Sequence, residues 1–197
     1  MFIQSVKYFK PSVNRSNMKT KSYFFLMTLL FIQLGNAAPL LAQAGAANTS
    51  PQHAFDFWLG EWELTWQNED GTTATGENRV RRILGGQVIE ENFEALTGDM
   101  AGYEGKSYSV YNPRSGEWKQ TWVDNEGSYL DFTGDITGGK RFFHRTAITA
   151  DNDRILQRMV FHDITEDSLV WDWERSVDEG ETWRLMWRIH YRRSLEK

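Results

Sequence analysis

The stretch Phe55–Trp66, FDFWLGEWELTW, constrains what this chain can fold into more than any other. After Gly60, the residues Trp62, Leu64 and Trp66 alternate with Glu61, Glu63 and Thr65. Side chains two apart share a face only in a strand, so the segment reads as a half-buried strand with a Trp-rich inner face. Trp58, Trp62 and Trp66 also recur at the four-residue spacing of a helix, a reading that Gly60 and Thr65 weaken. Just upstream, His53 to Leu59 reads as one short helical turn.

The same alternation recurs between glycine-bearing turns. Strands at about 73–84 and 87–96 meet at Gly85-Gly86, a two-residue hairpin signal that sets Val80 opposite Glu91, Arg82 opposite Ile89 and Asn78 opposite Phe93. One face then carries Val80, Leu84, Ile89 and Phe93, with Arg82 and Glu91 read as an ion pair among them. Arg79, Arg81, Glu90 and Asn92 form the opposite, solvated face. A strand at 106–111 ends in the turn 112–116 and a strand at 117–124 follows. The loop Asn125-Glu126-Gly127 then places Trp122 opposite Leu130 and Gln120 opposite Phe132.

Gly138-Gly139 precedes a strand at 141–149 with Phe142, His144, Thr146 and Ile148 on one side, which is read as the inner one. A strand at 154–165 has no decided facing. A last hairpin across Asp178-Glu179-Gly180 sets Trp171 opposite Trp187 and Trp173 opposite Leu185, with Arg184, Arg188, His190 and Arg192 outside. About ten short strands joined by Gly turns, with no sustained helical period, specify an all-β antiparallel barrel or sandwich.

Residues 18–44 read as an export signal: Lys19 and Lys21 are basic, 23–34 is apolar, and Ala42-Gln43-Ala44 is a small-residue cleavage site, with a cut after Ala37 as the alternative. The apolar run is too short for a comfortable membrane span, so no stable anchor is expected after cleavage. Met18 begins a complete signal by itself, which marks 1–17 as a start assigned upstream of the true one. The expected organisation is therefore an export segment over 1–44, a flexible lead-in over 45–52 and one domain over 53–197, located in the periplasm or outside the cell.

The first 44 residues contribute five positive charges and no acidic residue to a net charge of -5, so the remainder carries -10. That charge lacks the electrostatic footprint of a nucleic-acid binder. Without cysteine the chain has neither disulfides nor a thiolate nucleophile or ligand, and its four His hold no metal-ligand spacing. Neither a metal nor a cofactor is expected.

The opening FDFWLGEW together with QTWVDNEGSYLDFTG, residues 120–134, resembles an uncharacterised family of secreted bacterial calycin-like domains catalogued as a domain of unknown function. The resemblance runs from about Phe55 to Arg192. It implies an up-and-down lipocalin-like (calycin) β-barrel, with Gly60 and Trp62 standing where a Gly-x-Trp signature begins the first strand, and it implies no activity. A more distant likeness, at Leu59 to Trp62, is to nitrobindin-type haem barrels. Here Leu64 replaces their second glycine, and their haem-ligating His has no counterpart.

Nine Trp in one domain either fill a barrel or wall a cavity. The expected function is binding of a small, largely apolar or aromatic molecule. Trp62, Trp118, Trp122, Trp171, Trp173 and Trp187 would supply contact area, and Arg82, Glu91, Gln120 and His144 would orient a polar end. One alternative is an enzyme on the same barrel, with His144 or Glu91 as acid or base. Two others are a haem binder and a solid structural module.

Overall fold

The computed structural model describes residues 50–194, and the export segment expected over 1–44 lies outside them. Ten antiparallel strands run β1 (Gly60–Gln67), β2 (Thr73–Ile83), β3 (Val88–Ala95), β4 (Glu104–Asn112), β5 (Glu117–Asp124), β6 (Tyr129–Thr137), β7 (Lys140–Ile148), β8 (Arg154–His162), β9 (Ser168–Ser176) and β10 (Arg184–Arg193). Each pairs with its neighbours in sequence, and β1 pairs with β10 to close an up-and-down barrel. Closure leaves no strand edge unpaired. Within β1, Trp62, Leu64 and Trp66 are buried while Glu61, Glu63 and Thr65 face water, as the alternation requires.

Several registers follow the turn chemistry. Val80 lies opposite Glu91, Trp122 opposite Leu130 and Gln120 opposite Phe132, as expected. The β2–β3 turn occupies 84–87 rather than two residues. Leu84 sits in it at φ 49°, 74% exposed, and so is not on the inner face.

Two further expectations of facing and register fail. His144 is on the outer face and exposed. The two-residue turn Gly138-Gly139 pairs Thr137 with Lys140 and hence Gly134 with Phe143. Gly134 shares the inner face of β6 with Phe132, so Phe143 turns inward, fully buried, and His144 outward.

The last hairpin is longer than a three-residue loop. Asp178 accepts from Ser176 Oγ at 2.7 Å, Thr182 N at 3.0 Å and Thr182 Oγ1 at 2.6 Å, which holds 177–183 as a loop. A bulge between Leu185 and Trp187 then sets Trp187 opposite Trp173 and Ile189 opposite Trp171.

One end of the barrel is plugged. Two 3₁₀ turns, Pro51–His53 and Asp56–Trp58, lay Phe55 and Trp58 across it. Phe55 stacks on Phe143 at 4.5 Å and meets Trp118 edge-on at 5.0 Å, while Trp58 meets Phe161 at 5.1 Å. Barrel side chains donate to the plug's carbonyls: Trp118 Nε1 to Pro51 at 2.8 Å, Arg141 Nε to Ala54 at 3.0 Å and Arg193 to Leu59 at 2.9 Å. Pro51 and Gln52 are thus part of the plug, not of a flexible lead-in. At the start of β1, Gly60 has φ 132°, and a Cβ there would lie 2.2 Å from the Arg193 guanidinium, which packs over the Trp62 ring at 4.3 Å. Glycine is required for that approach.

Candidate functional site

The opposite end is open and leads to a cavity of about 300 Å³. Trp122 of β5, Trp171 and Trp173 of β9, and Trp187 of β10 wall it, with Tyr191 deeper and Glu91 of β3 among its lining side chains. Trp171 and Trp173, two apart on one strand, share a face and lie nearly parallel, 7° apart at 6.4 Å. Trp187 meets Trp171 edge-on, at 85° and 5.7 Å. The rings therefore form a right-angled corner.

Space inside this barrel comes from β4, three of whose four inward positions are Gly105, Ser107 and Ser109, all buried. A Cβ at Gly105 would meet the Trp122 ring at 2.0 Å, so the indole lies where a side chain would stand. The Ser hydroxyls belong to a polar chain in the barrel's middle. Gln120 Nε2 donates to Ser109 Oγ at 3.0 Å and Ser107 Oγ at 3.3 Å, and Ser107 donates to Glu91 Oε2 at 2.6 Å. Asn78 Nδ2 donates to Glu91 Oε1 at 2.7 Å and to the Tyr191 hydroxyl at 3.1 Å.

Glu91 is 6% exposed. Burial pushes its carboxyl up to about 7, against the lowering effect of the Ser107 and Asn78 donors. The Tyr191 phenol is raised well above its ordinary value by the same burial, then by the nearby Glu91 charge. At the rim, Asp124 Oδ2 accepts from Tyr103 Oη at 2.8 Å and Trp122 Nε1 at 3.0 Å, while Oδ1 accepts the Ser128 amide at 2.9 Å. Burial raises the Asp124 carboxyl, but these donors outweigh it and hold it at about 2. The carboxylate therefore fixes two rings of the cavity mouth as well as its own turn.

Of the residues expected to form a site, Glu91, Trp122, Trp171, Trp173 and Trp187 come together on this cavity. Gln120 is buried in the polar chain behind it. Trp62 and Trp118 are buried at the plugged end, each engaged by plug carbonyls.

Arg82 is there too, and it does not pair with Glu91. It bonds Asp56 and donates to Gly86 O at 2.6 Å and Gln52 O at 3.0 Å. Val80, not Arg82, stands opposite Glu91, and Arg82 lies further along β2 toward the end where the plug offers acceptors. His144 borders a separate groove on the outer wall beside Phe142, Arg158 and Trp183. None of the four His lines the cavity, and no group of three or more His, Cys, Asp or Glu among the described residues is placed to hold a metal ion.

Asn78, Ser107, Tyr103 and Tyr191 are site residues that the pattern of apolar positions passes over. Parity alone could have found them, because each falls on an inward position of a strand or at the rim. The small inward residues of β4 are the signal that the interior is not solid.

A family model described as "Protein of unknown function (DUF1579)" matches residues 48–193. No curated protein matches the sequence. Among solved structures, a redesigned β-barrel is similar at 11% identity and a TM-score of 0.38, over 73% of this chain and 96% of that one. A de novo designed fluorescence-activating β-barrel is similar at 14% identity and a TM-score of 0.39, over 73% of this chain and 98% of that one.

Proposed function

We propose that this chain, which belongs to the DUF1579 family of proteins of unknown function, is an exported carrier of one small, largely apolar or aromatic molecule. The observation that carries this reading is the contrast inside one barrel. Aromatic rings pack solid against the plug, whereas four Trp at the other end wall a cavity of about 300 Å³ with a buried carboxyl among its lining groups. Mostly apolar walls with a few convergent polar groups are the usual form of a small-molecule site, and this volume is at the small end of the range.

The test is a fluorescence titration of the protein with neutral aromatic probes, read on the Trp emission, together with native mass spectrometry of material purified from its own host. Saturable binding at one site, weakened tenfold or more by Trp122→Ala, supports the carrier reading. Affinity unchanged in that variant would remove the cavity from consideration.

A second reading is favoured by one observation, the buried Glu91 among the residues lining the cavity, where burial pushes its carboxyl up to about 7. A buried acid of that strength beside bound substrate could act as general acid or base. Turnover of an extracted ligand, lost in Glu91→Gln while binding persists, would establish it over simple carriage. His144, on the outer wall, has no part in it.

A further inference from the structure

We propose that the open-end cavity selects a small organic cation, an alkyl- or arylammonium whose charged head sits against the Trp corner and is answered by Glu91. This rests on the carrier reading and names its ligand class. The first observation is the sign of the lining. Glu91, Asp124 and Glu126 are among the residues lining the cavity, and no Lys, Arg or His is. The rest of the chain beyond the export segment has the same sign, which raises the local concentration of cations.

The second is the wiring of Glu91. Asn78 donates to one oxygen and Ser107 to the other. An ionised carboxylate accepts only, and two donors aimed at its two oxygens are what that form needs. Yet no basic side chain among the described residues forms an ion pair with Glu91, whereas the buried Asp172 on the outer face is clasped by Arg188 at 2.6 Å. A buried carboxylate provided with donors but no counter-charge costs free energy that a docked cation would offset.

The third is the ring geometry. The indole corner of Trp171, Trp173 and Trp187 offers both ring faces and an edge, and cations are attracted to the electron-rich faces of Trp above all. Tyr103 and Trp122 add a second pair of rings, 6.4 Å apart, whose O–H and N–H both donate to the Asp124 carboxylate. Such donation increases the electron density of those rings. Two guanidinium groups also face inward nearer the rim, but Arg145 donates to Gln157 at 3.0 Å and lies over Phe132, and neither it nor Arg175 lines the cavity.

Three probes of one shape decide the matter: benzyltrimethylammonium, its neutral carbon isostere neopentylbenzene, and the anion phenylmethanesulfonate, each titrated calorimetrically into the full protein at about pH 8. The expected order is cation tightest, by tenfold or more over the neutral isostere, and anion weakest. Glu91→Gln should cost the cation tenfold or more while leaving the neutral probe within about twofold. Trp187→Leu, which keeps an apolar wall but removes a π-face, should weaken the cation more than the neutral probe and guards against misfolding of the first variant.

Equal affinity for cation and neutral isostere overturns the proposal while leaving the carrier reading intact, as does preference for the anion. Binding by none of the three overturns it as well, and the neutral-probe titration described above then decides whether the carrier reading falls with it.

Discussion

The two ends of this barrel are built from the same residue types and do opposite things. At the plugged end Phe55, Trp58, Phe143 and Phe161 are each no more than 1% exposed, and carbonyls of residues 51–59 accept from Trp62, Trp118, Arg82, Arg141 and Arg193. At the open end Trp122, Trp171, Trp173 and Trp187 are only partly buried, and the polar groups beneath them form a network with a carboxyl at its centre. An aromatic side chain is thus core when a second layer covers it and a wall when nothing does. The covering layer here is supplied by residues 51–58, so the asymmetry is a property of which end the chain enters from.

The largest separation of the two ends should come from Phe55→Ala. Removing a fully buried Phe leaves a cavity and typically costs about 3–5 kcal/mol, measured by urea unfolding. Ligand affinity of the fraction that stays folded should be unchanged. A loss of affinity as large as the loss of stability would show that the plug also shapes the site.

Glu91 gives a pH signature from the opposite region. Its folded-state carboxyl is raised from 4.5 to about 7, so between those values the folded protein keeps a proton that the unfolded chain releases. Stability from this group is therefore fully present below about 4.5 and is lost as pH rises to about 7, a total on the order of 3 kcal/mol. Unfolding free energies of wild type and Glu91→Gln compared between about pH 5 and pH 8 should converge at the low value and separate at the high one, with the variant more stable. Parallel profiles would place the proton elsewhere.

Trp122→Ala should lower stability by roughly 2 kcal/mol, less than a full core deletion because the ring is only partly buried, but should weaken an aromatic ligand tenfold or more. The smallest effect belongs to His144→Ala, an exposed outer-wall change expected to stay within about 0.5 kcal/mol in stability and to leave ligand affinity unaltered. Any larger change in affinity would bring the outer groove into the site.

Much of this was legible in local chemistry. Asn125-Glu126-Gly127 and Gly85-Gly86 set registers that Trp122, Gln120, Val80 and Glu91 keep. His144 was legible in principle, since the Gly138-Gly139 turn transmits inward parity from Phe132 to Phe143, but judging one strand by itself put the wrong side in. The Arg82–Glu91 pair was not legible. Diagonal proximity across a hairpin says that the two could meet, and Asp56, from another part of the chain, offers Arg82 a nearer partner. The last hairpin failed because a polar cap at Asp178 and a bulge beside Trp187 outweigh loop length read from glycine spacing.

By itself the sequence determined the strands, where most of the turns between them fall, the acidic balance and the Trp-rich inner faces, because alternation and turn residues act over a few positions of the chain. Only the tertiary structure decided which Trp are packed and which are walls, since that depends on the plug covering one end and leaving the other open. It also decided that Glu91 sits among donors without a cation, because Asn78 and Ser107 reach it from two different strands, and Asn78 is held in turn to Tyr191 of a third, a convergence produced by closing the barrel.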